Sequence, residues 1–431
     1  MDKMINKTVL FIKTPVPMLK DDRLEPDMGM LYCASYVKKH CNVDVVYVDL
    51  SVDDKSVLMK YLDNCSIYCF SSFTANYHLT KQIVEELRKV ALSDSVFIVG
   101  GHHATALPNE VSNDFDYVIT GEGELAEAEL ISLLIEGKKP ETKIIKGKCI
   151  ENLDDAGWID YTLVDLDKYT RKVKGQKSIS ILTSRGCPYR CEFCNSTLMR
   201  EYKTVRFRSA KDVVSEILYL YHNYNYTSFR IQDDIFSINR KRLTEIANSL
   251  EGYNFSFRCF ARVDNIDEEI LLDFKRMGIF HLSFGVESGS QKILNLMNKG
   301  TKVEDIRHSI KLAKEYGMKC RVYLIAGYPG ETIETLDETI SLIKEVKPDD
   351  VSVYPLIPYP GTPLFANPSK YGIVNIDKDF SKYYQIYGDK QSGYVFETND
   401  MDLDKLKFFR DYLVKGIADV CPWAIDDEEN R

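Results

Sequence analysis

The sequence predicts an α/β protein in three parts. These are an N-terminal doubly wound, Rossmann-like parallel sheet, a partial (β/α)6 barrel of the TIM type, and a small, mainly helical C-terminal region. Three observations carry the prediction. Short apolar runs alternate with longer amphipathic runs in two separate stretches, and strand–helix alternation of this kind builds parallel sheets with the helices as crossovers. Glycine turns close strands in the first stretch, at Gly100-Gly101 and at Gly121-Glu122-Gly123. After residue 365 the chain turns rich in Tyr, Asp and Lys and holds one clear helical run. The expected divisions are 1–140, a linker over 141–176, the barrel over 177–365 and the C-terminal region over 366–431.

Bulk properties narrow the classes. A chain of 431 residues corresponds to about two or three domains. Hydrophobic residues make up 44% and charged residues 28%, the balance of a soluble globular protein. A net charge of −9 argues against a nucleic-acid binder, which is usually basic. The opening MDKMINKTVLFIKTP is too short for a signal h-region and lacks a small-residue cleavage site, so it reads as a first strand. No apolar run approaches the roughly 18 residues of a membrane span. The expectation is a cytoplasmic protein with no membrane insertion. Of 11 cysteines, Cys33, Cys41, Cys65, Cys69, Cys149, Cys259, Cys320 and Cys421 are scattered and read as buried, reduced core thiols. Cys65 and Cys69 lie along one strand and are not read as metal ligands.

The first stretch reads in order. TVLFIKT (8–14) is a buried strand, MGMLYCASYVKKH (28–40) a helix, VDVVYVDL (43–50) a strand, and Lys55–Asn64 a short helix. SIYCFSSF (66–73) is a strand. Residues 76–92 form a helix with Leu79, Ile83, Val84, Leu87 and Val90 on one side. VFIVGG (96–101) and YVITGEGE (117–124) are strands ending in glycine, and 124–137 is the closing helix. Ligands of such sheets bind beyond the carboxyl ends of the strands. Residues 138–176 are poorly periodic and read as a linker with a small hairpin.

The second stretch begins with SISILTS (178–184), and its helix at 209–225 opens on Ser209 with Asp212 in a variant capping box. Strand–helix pairs follow: 229–234 with 240–250, 255–262 with 266–278, 281–288 with 303–318, 319–331 with 334–346, then 351–361. That makes six βα-like units, whose strand-end loops form the active face of a barrel. Beyond it, a helix spans 403–420 and Asp426–Arg431 is a frayed tail.

The first barrel strand runs into TSRGCPYRCEFCNS (183–196), which places Cys187, Cys191 and Cys194 on one short arc. Structural zinc takes four protein ligands, and no fourth Cys or His stands within a few residues. Iron–sulfur clusters are held by thiolates, and a four-iron cubane held by three cysteines keeps one iron open for a substrate or cofactor. Arg185, Gly186 and Asn195 flank the loop and can tune its charge and hydrogen bonding. Zinc, or three unrelated core thiols, are the rival readings at this point.

The CxxxCxxC spacing resembles the radical S-adenosylmethionine (SAM) superfamily. The resemblance implies a [4Fe-4S] cluster on Cys187, Cys191 and Cys194 whose open iron binds the amino and carboxylate groups of SAM. It places Phe193 near the adenine, and Gln232, Asp233 and Asp234 of IQDDIFS near the SAM amino group. It makes Arg262 of FARVD, and Glu287 and Ser288 of GVESGS, SAM-facing, and Gly327 of AGYPGET part of the adenine and ribose turn. PYPGTPLF (358–365) is also similar to these barrels. The bland alternatives are an ion pair between Arg262 and Glu287, and a turn cap for Asp233 or Asp234.

Upstream, SSFTANYH, VGGHHATALPNE and VITGEGE resemble the cobalamin-binding domain fused to one large class of these enzymes, so that the resemblance spans roughly residues 5–365. It implies cobalamin contacts from Ser71, Ser72, Thr74, Asn76, Tyr77, Gly100, Gly101, His102, His103, Thr105, Gly121, Glu122 and Gly123. Glycines admit close backbone approach to a ligand. The segment KTPVPMLKDDR lacks the Asp-x-His-x-x-Gly found in cobalamin mutases, so the resemblance implies base-off cobalamin without that His ligand. Asn76 or Tyr77 is then a candidate for the lower cobalt face. His102 and His103 read as one packing residue and one hydrogen-bonding the corrin or its tail. A domain that has lost cobalamin and serves as scaffold is the rival.

The family resemblance implies methylation of an unactivated carbon or phosphinate centre, using SAM and methylcobalamin. The alternative enzyme class is non-methylating: ring contraction, cyclisation or epimerisation. A cobalamin- or redox-sensing module is the non-catalytic rival. The expected partners are a small-molecule or peptide substrate and an external electron donor of the flavodoxin or ferredoxin type. Tyr354, Tyr359, Tyr383 and Tyr384 are the candidate substrate-pocket residues.

Overall fold

The computed structural model describes residues 8–17, 19, 21–196, 205–384 and 393–420. Cys421 and Asp426–Arg431 lie outside them. The chain divides into two compact units: residues up to Thr170 together with Asp379–Ser381, and Arg171–Lys378 together with the residues from Lys382 onward.

In the first unit, strands β1 Thr8–Lys13, β2 Asp44–Asp49, β3 Cys65–Ser71, β4 Val96–Gly100, β5 Tyr117–Thr120 and β6 Ile144–Lys146 form one sheet in the order β2-β1-β3-β4-β5-β6. Every pairing is parallel. The crossovers include helices α1 Met28–His40, α2 Tyr77–Leu87, α3 Gly101–Ala106, α4 Pro108–Val111 and α5 Glu124–Ile135. Strand order reverses between β1 and β3, and that switch point leaves a crevice at the carboxyl ends. The sheet reads as nearly continuous apolar runs because both faces are covered. Tyr68 and Phe97 stack at 4.9 Å, with Phe115 edge-on to Phe70 at 6.0 Å.

Several details depart from expectation. Strand β6 falls inside the segment read as a linker. It pairs with β5, because Ile144 and Ile145 continue the apolar surface of that edge. The helix after β4 begins at Gly101, so His102 and His103 are helical and not in an open turn. Helix α2 stops at Leu87, and Val90, expected on its buried side, is 53% exposed. Lys55–Lys60 is a 3-10 turn capped by Asp54. Cys33, Cys41 and Cys149 are only half-buried, whereas Cys65, Cys69, Cys259 and Cys320 are buried.

In the second unit, β7 Lys172–Val173 pairs antiparallel with β8 Gln176–Ile181. From β8 the sheet continues in strictly sequential order through β11 Ser228–Ile231, β12 Ser256–Ala261, β13 Ile279–Glu287, β14 Lys319–Ala326 and β15 Asp350–Pro355. These six strands are parallel, as a partial (β/α)6 barrel requires. A two-stranded ladder of β9 Ser184–Arg185 and β10 Arg206–Phe207 stands after β8. The helices are α6 Ala210–Tyr224, α7 Arg240–Leu250, α8 Glu268–Met277, α9 Gln291–Leu296, α10 Val303–Glu315, α11 Ile333–Val346, α12 Pro363–Ala366 and α13 Leu403–Ile417.

Local chemistry sets their ends. The Ser209 side chain accepts the Asp212 N–H at the start of α6, satisfying a donor that the helix leaves open. Gly278, at φ 90°, ends α8 in the left-handed region, which L side chains avoid. The C-terminal region is less purely helical than expected: β16 Ile373–Ile376 and β17 Phe396–Thr398 pair antiparallel.

Strand register sorts the barrel residues onto two faces. Phe229, Ile231, Phe257, Cys259, Leu282, Phe284, Val322, Leu324, Val351 and Val353 are each at most 2% exposed and form the face that takes the helices. Phe229 and Phe257 stack there at 5.2 Å. Phe257→Ala removes a fully buried ring from this layer and should cost about 3–5 kcal/mol. The check is guanidinium unfolding followed by near-UV circular dichroism, with the low-denaturant transition shifted down.

Candidate functional site

The cysteine loop leaves the carboxyl end of β8 and is anchored at its base by a buried carboxyl group. Asp233, fully buried, accepts the Thr183 N–H at 2.6 Å, the Thr183 hydroxyl at 2.5 Å and the Ser184 hydroxyl at 2.5 Å. Arg242 donates to the Thr183 carbonyl at 2.8 Å and to the Arg208 carbonyl at 2.7 Å. Arg208 in turn donates to the Leu182 carbonyl at 2.9 Å and to Glu216 at 2.6 Å. Residues 182–184 are thus gripped by backbone and side-chain bonds together.

The far side of the loop is clamped by the segment after α9. The Met297 carbonyl accepts the Glu192 N–H at 2.9 Å, and the Asn298 amide donates to the Arg190 carbonyl at 3.0 Å. Arg262 lies 3.5 Å from the centre of the Tyr189 ring, ion-pairs with Asp264 at 2.8 Å and donates to the Lys299 carbonyl. Lys299 pairs with Glu287 at 3.0 Å and stands 5.8 Å over the Phe193 ring. Arg262 and Glu287, the suspected ion pair, therefore take different partners. Tyr189, Met297, Asn298 and Lys299 carried no periodic or motif signal, and sequence reading missed them.

All three loop cysteines are free thiols. Burial raises the Cys187 thiol to about 11, and the neighbouring Asp234, Cys194 and Cys191 push it the same way. Burial also raises Cys191, while Lys299 and Arg262 oppose the shift. Mutually repelling thiols with cations beside them suit an anionic cluster, because metal binding displaces the protons. Among the described residues no group of three His, Cys, Asp or Glu converges on a single-ion site. The buried Asn195 Oδ1 has no hydrogen-bond partner, an orphaned acceptor within the loop that a bound group can satisfy. The residues fit the cluster.

The other SAM-facing candidates fall at successive strand ends. Gln232 donates to the Ser180 hydroxyl at 3.3 Å. Asp234 accepts from Ser196 at 3.2 Å. Glu287 ends β13 with φ 67°, a left-handed conformation that is costly for a non-glycine residue. Ser288 lies 3.2 Å from the Thr339 hydroxyl and accepts the Ser290 N–H at 3.1 Å. Gly327, at φ 83°, donates its N–H to Glu331. Burial pushes the Glu331 carboxyl up to about 8 against that bond and one from Tyr328. Of the tyrosine candidates, Tyr383 is 1% exposed with its hydroxyl on the Asp377 carbonyl at 2.6 Å. Tyr359 donates to the Tyr383 carbonyl at 3.4 Å. Tyr354 and Tyr384 are half-buried.

In the first unit the candidates gather at the carboxyl ends of β3, β4 and β5. Gly101, at φ 92°, lies so close to β3 that a Cβ would stand 2.8 Å from the Ser71 hydroxyl and the Ser72 carbonyl. The Ser72 N–H donates to the Gly100 carbonyl at 3.0 Å, and the His103 N–H to the Ser72 carbonyl at 3.1 Å. Thr105 links the Gly101 carbonyl, at 2.8 Å, to the Gly121 N–H, at 3.0 Å. A Cβ on Gly123 would meet Cys33 Sγ at 2.8 Å, and Glu122 is buried.

Asn76 is committed within the protein. Its oxygen accepts the Phe73 N–H at 2.9 Å and its amide donates to Thr14 at 3.0 Å. The Tyr77 hydroxyl donates to Asp114 at 2.6 Å. His102 stacks on Phe73 at 5.8 Å. His103 is fully buried beside Tyr77 and Phe380, with Nδ1 3.3 Å from the Thr74 hydroxyl. Its Nε2 has no partner, and burial lowers the imidazole to about 4. A neutral ring with an orphaned nitrogen, beside a glycine that keeps the backbone close, fits a bound corrinoid.

A loop of three cysteines at the mouth of a parallel half-barrel is the mark of a radical SAM enzyme. A profile of the Radical SAM superfamily matches residues 181–343, and one of the B12 binding domain matches residues 18–131. The uncharacterized methyltransferase PH0819 of Pyrococcus horikoshii is 30% identical over 81% of this chain and 79% of its own. The anaerobic magnesium-protoporphyrin IX monomethyl ester cyclase of Rubrivivax gelatinosus is 27% identical over 79% of this chain and 66% of its own. The solved radical SAM methyltransferase TsrM from Kitasatospora setae, with cobalamin and a [4Fe-4S] cluster bound, superposes with a TM-score of 0.72. At 17% identity it covers 98% of this chain and 90% of that one. The chain belongs to the cobalamin-dependent, B12-binding-domain-containing family of radical SAM enzymes, whose cofactors are a [4Fe-4S] cluster, SAM and cobalamin. No helix among the described residues is long and apolar enough to cross a membrane.

Two outcomes check this geometry. Asp233→Ala strands three buried donors and should lower stability by about 2–4 kcal/mol, read as a drop in the guanidinium midpoint. Glu331 should make stability fall with rising pH. Its folded value near 8 lies above the ordinary 4.5, so the folded state holds a proton that the unfolded state has lost. Stability is then lost from about pH 4.5 to about pH 8, by a few kcal/mol, and Glu331→Gln should flatten that slope in unfolding curves measured across this range.

Proposed function

We propose that this protein is a methyltransferase that places a methyl group on an unactivated carbon or phosphinate centre of a small molecule or peptide. The observation that carries the reading is the cysteine loop, braced by Asp233 and the 297–299 segment, in a chain that also builds a B12-type sheet. The name of the Pyrococcus relative, a methyltransferase, supports it.

Cys187, Cys191 and Cys194 would hold the cluster. Gln232, Asp234, Glu287 and Gly327 present polar groups at the strand ends where SAM would lie, and Phe193 offers its ring to the adenine. Asp233 acts on this site by positioning, since its oxygens are engaged by Thr183 and Ser184. Gly101 and the strand ends around it would hold the corrinoid, with His103 Nε2 available for a hydrogen bond. When bound, the cluster supplies the electron that cleaves SAM and the corrinoid supplies the methyl carrier. Lys299 and Arg262 offset negative charge at the loop, which favours accepting an electron there. A flavodoxin- or ferredoxin-type donor would deliver it, and a cytoplasmic location suits thiols kept reduced.

A non-methylating cyclisation is the second reading, favoured by the similarity to the Rubrivivax cyclase. The product distinguishes the two. Methylation yields S-adenosylhomocysteine and 5′-deoxyadenosine together under anaerobic reducing conditions, whereas cyclisation need not yield the former. Replacing Cys187, Cys191 and Cys194 by Ala should abolish 5′-deoxyadenosine, measured by liquid chromatography. Continued formation by the triple variant would refute the assignment.

A further inference from the structure

The cysteine loop carries a carboxylate among its thiols. Glu192 follows Cys191 and stands two residues before Cys194. Its backbone is fixed, because its N–H donates to the Met297 carbonyl at 2.9 Å. Its side chain is 20% exposed, so most of it is out of water, where a carboxylate needs a donor. The donor comes from a distant part of the chain. The Tyr371 hydroxyl, in the C-terminal region, donates to Glu192 Oε2 at 2.8 Å. Lys370 stands 3.8 Å from Oε1, but its side chain is 64% exposed, and a wet pair at that distance contributes little.

Tyr371 is itself held in place. It ends the 3-10 turn Pro368–Tyr371, between α12 and β16. The next residue, Gly372, donates its N–H to the Ser369 carbonyl at 3.1 Å and accepts the Asn399 N–H at 3.1 Å. The Tyr371 ring is half-buried, and burial, then the Glu192 carboxylate, raise its phenol above the ordinary value. A second tyrosine marks the same neighbourhood. Tyr328 is 1% exposed and gives its hydroxyl to the Leu296 carbonyl at 3.0 Å. Burial raises its phenol, and Tyr371, Glu192 and Cys191 push it the same way. The carboxylate, its donor and a cluster cysteine therefore meet at one place.

We propose that Tyr371 is a positioning residue for the cluster: its hydrogen bond fixes and partly offsets the Glu192 charge beside Cys191, and so raises the reduction potential of the bound cluster. An anion next to an iron–sulfur cluster opposes the gain of an electron. A donor that draws on that anion relieves the opposition, and net charge and hydrogen bonds near the sulfurs are what set such potentials. The C-terminal region is then part of the electron-accepting device. The inference rests on the family's cluster and not on the choice of methyl transfer as the reaction.

A potentiometric titration of the anaerobically reconstituted full-length protein tests it, with dithionite supplying the electron and electron paramagnetic resonance reading the reduced form. Tyr371→Phe keeps the ring and removes the donor, and should lower the midpoint potential. Glu192→Gln removes the charge and should raise it. Each shift should change the reduced-to-oxidised ratio at a fixed potential roughly threefold or more. Tyr371→Phe combined with Glu192→Gln should match Glu192→Gln alone, because the hydroxyl then has no charge to offset. Glu192→Asp draws the carboxylate back from the hydroxyl, and carries the Tyr371→Phe expectation if that variant takes up no cluster. Iron–sulfur absorbance and far-UV circular dichroism report loading and fold. Unchanged potentials in loaded variants, shifts of the same sign, or additive shifts in the double variant overturn the inference. Loss of the cluster from every variant also overturns it, since the contact then serves folding alone. A wild type that cleaves SAM but methylates nothing loses the proposed reaction and keeps this inference.

Discussion

The second unit depends on the carboxyl group of Asp233. A single side chain with no exposure accepts three hydrogen bonds from Thr183 and Ser184. Those residues lead from β8 into β9 and the cysteine loop. A loop of three thiols cannot define its own geometry, because it has no hydrophobic core and little regular structure. Its position is borrowed from the strand end, and Asp233 joins that end to the loop after β11. Arg242 and Arg208 hold the neighbouring carbonyls, so the polar groups freed where the strand stops are satisfied without water. Removal of one partner from such a network leaves several buried groups stranded.

Around this anchor, charge is arranged by distance from the loop. Lys299 and Arg262 stand beside the thiols and each has a carboxylate partner, Glu287 and Asp264. Deeper in the sheet, Arg258 of β12 lies near Arg230 and Arg321, and Arg321 of β14 ion-pairs with Asp350. The outer face of those strands is apolar and close-packed against helices. One sheet thus carries an apolar, close-packed face and a more polar one, and period-two alternation of side chains along each strand is enough to do it.

The first unit solves a different problem, close approach of backbone to a bulky ligand. Gly101 touches β3 where a methyl group would collide, and Asn76 ties the β3 loop to Thr14 at the end of β1. Both lie at strand ends next to the topological switch between β1 and β3, where parallel sheets leave room. His103 is the chemical exception in this frame, a buried ring with one nitrogen satisfied and the other open.

Read alone, the amino-acid order determined the alternation of strands and helices, the two-part α/β plan and the three-cysteine loop. Each of these is written in local periodicity or short spacing, which backbone geometry converts directly into structure. Helices with caps, such as the one opening at Ser209, were legible to the residue. Strand β6 was not, because three residues carry too little pattern to mark an edge strand. Only the tertiary structure decided that Asp233 serves the loop's anchor, that Arg262 pairs with Asp264 and Tyr189 and not with Glu287, and that Met297–Lys299 clamps the cysteines. Apart from Asp264, two residues from Arg262, these partners lie tens of residues apart, and which side chain meets which is settled by sheet register and helix packing, neither of which leaves a trace in neighbouring residues. The same holds for Arg230, Arg258 and Arg321: each looks like an ordinary strand residue until parallel pairing sets the three near one another.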